Sequence, residues 1–232
     1  MNKKASPFHP SVWIAYWLSC LCSFACYADL HLDENFSAQR LAPEISYICG
    51  DENHYTLNEA KRLNFAPITH KEISFGFTQS DCWFHFRATN HSNQSLSLVL
   101  SSDFNLFDHI DFYIPFENKI IIKSIGDTIP YHQRELQVRK LAIPFVIKAQ
   151  QSNDYYLHAK TTSTYYLPLQ LSSYPDFINK NNKIDTLIGL FYGMVIGLFL
   201  YHLFLFILTR EKVQLLYIFY VMNTLLFFAA EQ

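Results

Sequence analysis

Two long uncharged runs near the carboxyl end constrain the fold of this chain more than any other feature. The first, from Thr186 to Leu208, contains no Asp, Glu, Lys or Arg, and as a helix it spans about 35 Å, enough to cross a bilayer. The second, from Val213 to Ala230, follows after the short polar segment TREK and spans about 27 Å. Buried core helices are the alternative, but two adjacent runs of this length favour two transmembrane α-helices.

The amino terminus carries an apolar segment of a different kind. Lys3 and Lys4 precede an apolar stretch from Val12 to Ala25, which the small residues of CYA follow. This order is typical of a secretory signal peptide, so we predict a signal peptide over residues 1–28. An uncleaved anchor helix is the alternative. Both interpretations place residues 29–183 on the exported side of the membrane.

Between these segments, apolar and polar residues alternate with the period of two that is typical of β-strands. In CWFHFRATN, for example, Phe84 and Phe86 fall on one face of a strand, and Trp83 and Arg87 fall on the other. Similar segments recur at intervals of about 8–12 residues with turn residues between them, which predicts a mainly β, antiparallel β-sandwich. The exported domain is therefore expected to be a sandwich that ends before the membrane helices.

Two departures from the strand pattern are visible. In TLNEAKRL, Thr56 precedes Glu59 by three residues, which predicts a short helix that begins with a capping box. In YPDFINKNNKID, Pro175 is expected to end the last strand, and the Asn and Lys residues after it are expected to form a linker at the membrane surface. The helix would lie inside the domain and the linker at its end.

Only two cysteines, Cys49 and Cys82, lie outside the predicted signal peptide. In an oxidising compartment an isolated pair is expected to form a disulfide bond. Two buried, unpaired thiols are the alternative, and the sequence does not choose between them.

The sequence shows no pattern typical of an active site. The histidines lack metal-ligand spacing, no Gly-rich phosphate loop is present, and we predict no catalytic residue, metal or cofactor. Asp108 and Asp111 are candidates for a glycosidase acid/base pair, but on alternating strand positions they are expected to form a solvated edge. The net charge of −2 includes no dominant basic patch, so we predict no nucleic-acid partner.

The sequence does contain residues suited to ligand binding. An indole ring stacks on sugars, and a guanidinium group binds carboxylates with two hydrogen bonds. The alternative is structural: the tryptophan packs at the end of the sandwich and the arginines pair with acids. The candidate ligand-binding residues are Trp83, Arg87, Arg134 and Arg139.

The first apolar run carries a stripe of small residues and one histidine. Gly189, Gly193 and Gly197 recur at every fourth position, so they lie on one helix face and suit close packing against another helix. The predicted partners of this stripe are further transmembrane helices or a second copy of the chain. His202 is a candidate functional residue inside the membrane, although a hydrogen bond between helices also explains it.

Three stretches of the sequence together resemble the bacterial seven-transmembrane receptors with diverse intracellular signalling modules (7TMR-DISM). The resemblance covers residues from about Ile45 to the end and includes the helix opening GLFYGMVIGLFLYHLFLF. His202 stands where the family often has an amide residue. The residues that carry the resemblance are Trp83, Arg87, Asn90, Gly126, Asp127, Pro130, Arg134 and Arg139.

The resemblance implies both a fold and a function. It implies a jelly-roll-like, carbohydrate-binding-like periplasmic sensor domain over residues 29–178 and the start of a seven-helix transmembrane region over residues 179–232. The chain would then be a fragment or truncated product of a receptor in the bacterial inner membrane, with residues 29–183 in the periplasm. The expected ligand is a carbohydrate-like or carboxylate small molecule, and the signal would pass to a cytoplasmic output module, such as a histidine kinase or diguanylate cyclase. The chain itself is not expected to be an enzyme; the alternatives are a membrane-tethered glycan-active enzyme and a structural envelope protein.

Overall fold

The computed structural model describes residues 29–50, 55–78, 81–117 and 119–230. Within these ranges, strands dominate the first part of the chain and two long helices form the second. This order confirms the predicted fold class, a mainly β sandwich followed by two apolar helices. The signal peptide predicted for residues 1–28 lies outside the described residues.

Thirteen strands and three α-helices can be delimited in the described part of the chain. The strands are β1 (Asp29–Leu32), β2 (Ala38–Arg40), β3 (Ser46–Gly50), β4 (Ala66–Pro67), β5 (Ser74–Phe77), β6 (Asp81–Asn90), β7 (Leu96–Ser102), β8 (His109–Phe116), β9 (Lys119–Ile125), β10 (Leu141–Ile147), β11 (Ser152–Lys160), β12 (Thr164–Tyr166) and β13 (Leu169–Ser173). The helices are α1 (Leu57–Ala60), α2 (Tyr174–Thr209) and α3 (Lys212–Ala230).

Two sheets pack face to face to form the sandwich. The larger has the strand order β4-β3-β6-β11-β8-β9, and β1 runs parallel to the second half of β6. The smaller has the order β10-β7-β13-β2, and β12 and β5 form a separate pair. Aside from the β1–β6 pair, the paired strands are antiparallel. The open edges β9 and β10 lie on the same side of the sandwich.

The core between the sheets contains the residues that the period of two predicts. Phe84 and Phe86 of β6 are almost completely buried, and they pack with aromatic and aliphatic side chains from both sheets. The outer faces are less simple, because Trp83 and Val99 point away from this core and are also buried. Alternation therefore predicts the inner face correctly but does not predict which outer positions other elements cover.

A disulfide bond and a capped helix organise the region around β3. Cys49 and Cys82 are bonded and occupy opposite positions on the neighbouring strands β3 and β6. The predicted capping box is confirmed at α1, where the backbone N–H of Thr56 donates to the carboxylate of Glu59 at 2.8 Å. The bond thus ties the start of the segment that contains α1 to a central strand of the larger sheet.

The linker predicted at the membrane surface is wrong, because these residues are helical. Helix α2 begins at Tyr174, directly after β13. The side chain of Ser173 caps it by accepting from the backbone N–H of Asp176 at 3.3 Å, and Pro175 suits a first helical turn, where no N–H is needed. Phe177 then packs against the smaller sheet. The sandwich and the first membrane helix are consequently joined without a flexible segment, and the domain boundary predicted after residue 178 falls inside a helix.

The two long helices form a hairpin whose apolar side chains are mostly exposed, as lipid contact requires. Both helices are long and apolar enough to cross a membrane. Near their connection, Nδ1 of His202 lies 2.8 Å from Oε1 of Gln214, and Tyr217 stacks on the imidazole ring. His202 thus makes a hydrogen bond between helices, the second of the two interpretations given above.

Candidate functional site

The tryptophan predicted to bind ligand is enclosed by protein. Trp83 is only 2% exposed, and its indole ring lies against the rings of His158, at 4.8 Å between centroids, and Tyr113, at 5.2 Å. Burial lowers the pKa of His158, because it disfavours the charged imidazolium. The indole therefore offers no open face for a sugar to stack on in this conformation.

Arg87 is held by an acidic partner on the next strand. Its guanidinium group donates two hydrogen bonds to the carboxylate of Asp154, both at 3.0 Å, and His85 Nε2 lies 2.9 Å from the same carboxylate. The hydrogen bond with His85 and then those from Arg87 lower the pKa of Asp154 to about 2. Arg87 thus makes the pairing with an acid that its structural interpretation predicts.

Arg134 and Arg139 lie in other parts of the structure. Arg134 donates to the backbone carbonyls of Ile129 and Gly126, at 3.3 and 3.1 Å, and so holds the loop that follows β9. Arg139 pairs with Asp185 of α2. The described ring contacts, hydrogen bonds and ion pairs of the four candidate side chains go to different residues, so these contacts do not join the four in one site. A common ligand site formed by them remains a prediction.

Asp108 and Asp111, considered above as an acid/base pair, each bind a different part of the sandwich. The carboxylate of Asp108 accepts from the backbone N–H and the hydroxyl of Thr162, at 2.8 and 2.7 Å, and these hydrogen bonds lower its pKa. Asp111 accepts from the hydroxyl of Ser124 and contacts the His109 ring. These contacts give both carboxylates a role in holding strands and loops. Within the described ranges, no group of three or more His, Cys, Asp or Glu side chains is placed to hold a metal ion.

A groove of about 420 Å³ lies along the edge strands β9 and β10, where the sandwich is open. Buried apolar side chains from both sheets, including Leu98, Ile114 and Phe145, form its inner wall. Exposed apolar side chains such as Phe116 and Val146 line its outer part. An apolar concavity with a few polar groups is the usual form of a small-molecule site.

Two lysines place charge at the rim of the groove. Lys123 donates to the Glu135 carboxylate, at 2.7 and 2.8 Å, and to the backbone carbonyl of Pro144 at 2.7 Å, so it bridges the two sheets. Lys148 pairs with Glu117 at 3.2 Å, and its ammonium group lies 5.2 Å from the centre of the Phe116 ring. Ammonium and carboxylate groups therefore flank an apolar surface that carries an exposed aromatic ring.

The first residue of the membrane helix also lines this groove. Tyr174 begins α2 and is 38% exposed, and Phe116 on another wall is 48% exposed. Because α2 continues unbroken to Thr209, one continuous element extends from the groove into the apolar hairpin. A ligand that filled the groove would contact the helix that enters the membrane.

Sequence reasoning missed this groove, although one signal of it was present. Strand β9 reads KIIIKSI, and all three isoleucines, residues 120–122, are substantially exposed. Three consecutive β-branched apolar residues between lysines break the alternation of a half-buried strand. Such a break indicates an exposed apolar edge. The other walls come from segments that are distant in the sequence, so only the fold brings them to this edge.

Comparison with known families gives two matches that together cover most of the chain. The family model described as 7TMR-DISM extracellular 2 matches residues 42–173. The model described as 7TM diverse intracellular signalling matches residues 184–232. No curated protein matches the chain. The first match ends with β13, and the second begins in the part of α2 that precedes the uncharged run.

Proposed function

Because the chain belongs to the 7TMR-DISM family, we propose that its exported domain binds a small molecule in the groove between β9 and β10 and passes the signal through α2. The family matches make this a membrane protein with an exported domain and a transmembrane region. In the proposal, residues 29–183 lie in the periplasm of a bacterium and the hairpin lies in its inner membrane. The output would be a cytoplasmic module that the described residues do not include.

The observation that carries the proposal is the position of Tyr174. This residue lines the groove and begins the helix that contains the first uncharged run. Phe177, one turn later, is buried against Val99 and Ala142 of the smaller sheet. A shift of the groove wall would therefore move the helix, because no flexible linker absorbs the displacement.

The chemistry of the groove favours a carbohydrate-like or carboxylate ligand. The exposed rings of Phe116 and Tyr174 suit stacking against the apolar face of a sugar. Lys148, Glu117 and Lys123 supply charged partners for hydroxyl or carboxylate groups. The domain is proposed to bind its ligand without converting it.

The transmembrane part is proposed to pack with further helices. A Cβ atom added at Gly189, Gly193 or Gly197 would meet no atom of another described element within 4 Å. The glycine stripe therefore does not contact α3. Further transmembrane helices of the receptor, or a second copy of the chain, are the proposed partners of this face.

The experiment is calorimetry of the full chain in lipid nanodiscs, titrated with a panel of glycans and carboxylates. Two variants distinguish the two candidate ligand sites. Phe116→Ala changes the groove, and Arg87→Ala changes the face of β6 that the sequence predicts to bind ligand. Loss of a stacked ring from a binding site costs about 1–3 kcal/mol, which corresponds to about 5- to 150-fold weaker binding. Both side chains are about half exposed, so both variants are expected to fold.

The expected result is that Phe116→Ala weakens binding of a panel member about fivefold or more, and that Arg87→Ala leaves it unchanged. The opposite pattern would move the site to the face that carries Trp83 and Arg87. Binding that neither Phe116→Ala nor a Tyr174→Ala variant weakens would refute the groove as the ligand site.

A further inference from the structure

A second cavity, of about 270 Å³, lies where α2 runs along the outer face of the smaller sheet. A helix that packs on a sheet normally buries apolar side chains against it, as Phe177 does. Further along the helix the sheet presents Ser101, Gln170 and Ser172 instead. Helix and sheet therefore enclose a polar space.

Three lysines surround this polar space. Lys140 extends from the sheet side and pairs with Asp103 at 2.5 Å, whereas Lys180 and Lys183 extend from α2. In the described part of the chain, neither of the two helical lysines makes an ion pair. Two acids flank these lysines on the helix. Asp176 also lines the cavity and accepts from the hydroxyl of the capping serine, and Asp185 pairs with an arginine. The lining of the cavity thus carries three ammonium groups and one carboxylate, that of Asp176, and its net charge is positive.

The cavity lies at the level of the lipid headgroups. The uncharged run of α2 begins at Thr186, so at about 1.5 Å per residue Lys183 and Lys180 stand about 4.5 and 9 Å outside the hydrocarbon layer. The headgroup region is about 5–8 Å thick on each side, and a lysine side chain reaches toward it readily. Immediately beyond, Leu187 and Leu190 are more than 60% exposed and would contact acyl chains. Both lysines are also on the exported side of the helix, against the usual bias of basic residues toward the cytoplasm.

We propose that this cavity, defined by Lys140, Lys180, Lys183 and the three polar residues of the sheet, binds the phosphate of an anionic phospholipid in the exported leaflet. The lysine ammonium groups pair with the phosphate, and the serine hydroxyls and the Gln170 amide hydrogen-bond to the headgroup. A bound lipid would connect the sandwich, α2 and the bilayer surface at one point. The proposal does not depend on which ligand the groove binds.

The test is lipid binding to the full chain, purified in mild detergent and titrated with phosphatidylglycerol or phosphatidylethanolamine under native mass spectrometry. The double variant Lys180→Gln/Lys183→Gln removes the unpaired charges. The matched control Lys61→Gln/Lys119→Gln removes two exposed lysines elsewhere on the sandwich. Each lysine near a membrane surface strengthens the binding of an anionic lipid about fivefold. Loss of both lysines is therefore expected to weaken this binding about thirty-fold.

The expected result is preferential retention of phosphatidylglycerol by the wild-type chain and by the control, and loss of this preference in the Lys180/Lys183 double variant. Equal retention of the two lipids by the wild type would overturn the proposal, as would an unchanged preference in the double variant. Glycerol 3-phosphate is added as a soluble competitor. Displacement of the lipid by an equal concentration of this competitor would show that the cavity binds a free anion, and it would also reject a lipid site.

Discussion

Replacement of Trp83 by alanine is expected to destabilise the exported domain severely. The indole is 2% exposed and contacts the rings of His158 on β11 and Tyr113 on β8. Truncation of a buried tryptophan to alanine costs about 3–5 kcal/mol, because the lost contacts leave a cavity. With a urea m-value of about 2 kcal/mol per M, the unfolding midpoint would fall by about 1.5–2.5 M.

Pulse proteolysis across a urea series suits this measurement, because it reports unfolding of the exported domain while the hairpin stays in a nanodisc. Phe77→Ala is the matched control: this aromatic ring is 86% exposed, so its loss is expected to change the unfolding free energy by less than about 0.5 kcal/mol. Trp83 is the only tryptophan after residue 28. In a chain that begins at Asp29, its fluorescence therefore gives an independent midpoint for the wild type and the control.

An unchanged midpoint for Trp83→Ala would refute the reasoning. It would mean that the indole contributes little to packing in solution, and that the residues covering it move away readily. The ring would then be free to stack on a ligand, as the sequence alone suggested. A loss of more than about 3 kcal/mol establishes the structural role.

Two further predictions concern the same sheet. Replacing Cys49 and Cys82 by serine is expected to lower the unfolding free energy by about 3–4 kcal/mol, from the 33-residue separation that the bond closes; two alkylatable thiols in unreduced protein would contradict it. The pKa of Asp154 is lowered from 3.8 to about 2 in the folded chain, so the stability it contributes is present above about pH 4 and lost as the pH falls toward 2. The difference in urea midpoint between wild type and Asp154→Asn should shrink over that range, and a difference independent of pH would exclude this contribution.

Much of the architecture follows from local patterns in the sequence. The two uncharged runs predict the two long helices. Only lipid or a large protein core offers an apolar environment for a run of that length. The alternation in β6 places Phe84 and Phe86 inside, because successive side chains of a strand point to opposite faces. The capping box at Thr56 is equally local, since its partners are only three residues apart.

Local patterns do not predict which residues from distant parts of the chain contact each other. The sequence cannot show that Asp154 stands beside Arg87, or that Asp185 of α2 reaches Arg139, because these partners are 67 and 46 residues apart. These two arginines, which the sequence suggests as ligand-binding residues, therefore pair with carboxylates of the same chain. The linker was predicted wrongly for a related reason: Pro175 is compatible with a strand end and with a first helical turn, and the packing of Phe177 favours the helix.

Composition and short-range periodicity are properties of neighbouring residues, so the sequence alone predicts a β-rich exported domain, an apolar hairpin and one pair of cysteines after residue 28. The positions of the cavities, in contrast, depend on contacts between distant parts of the chain. The groove at Tyr174 and the lysine cavity along α2 are each formed by strands and helix residues that are distant in the chain. Their shape and charge follow from the pairing of the strands and from the packing of α2 against the smaller sheet, and these are long-range contacts that no local pattern encodes.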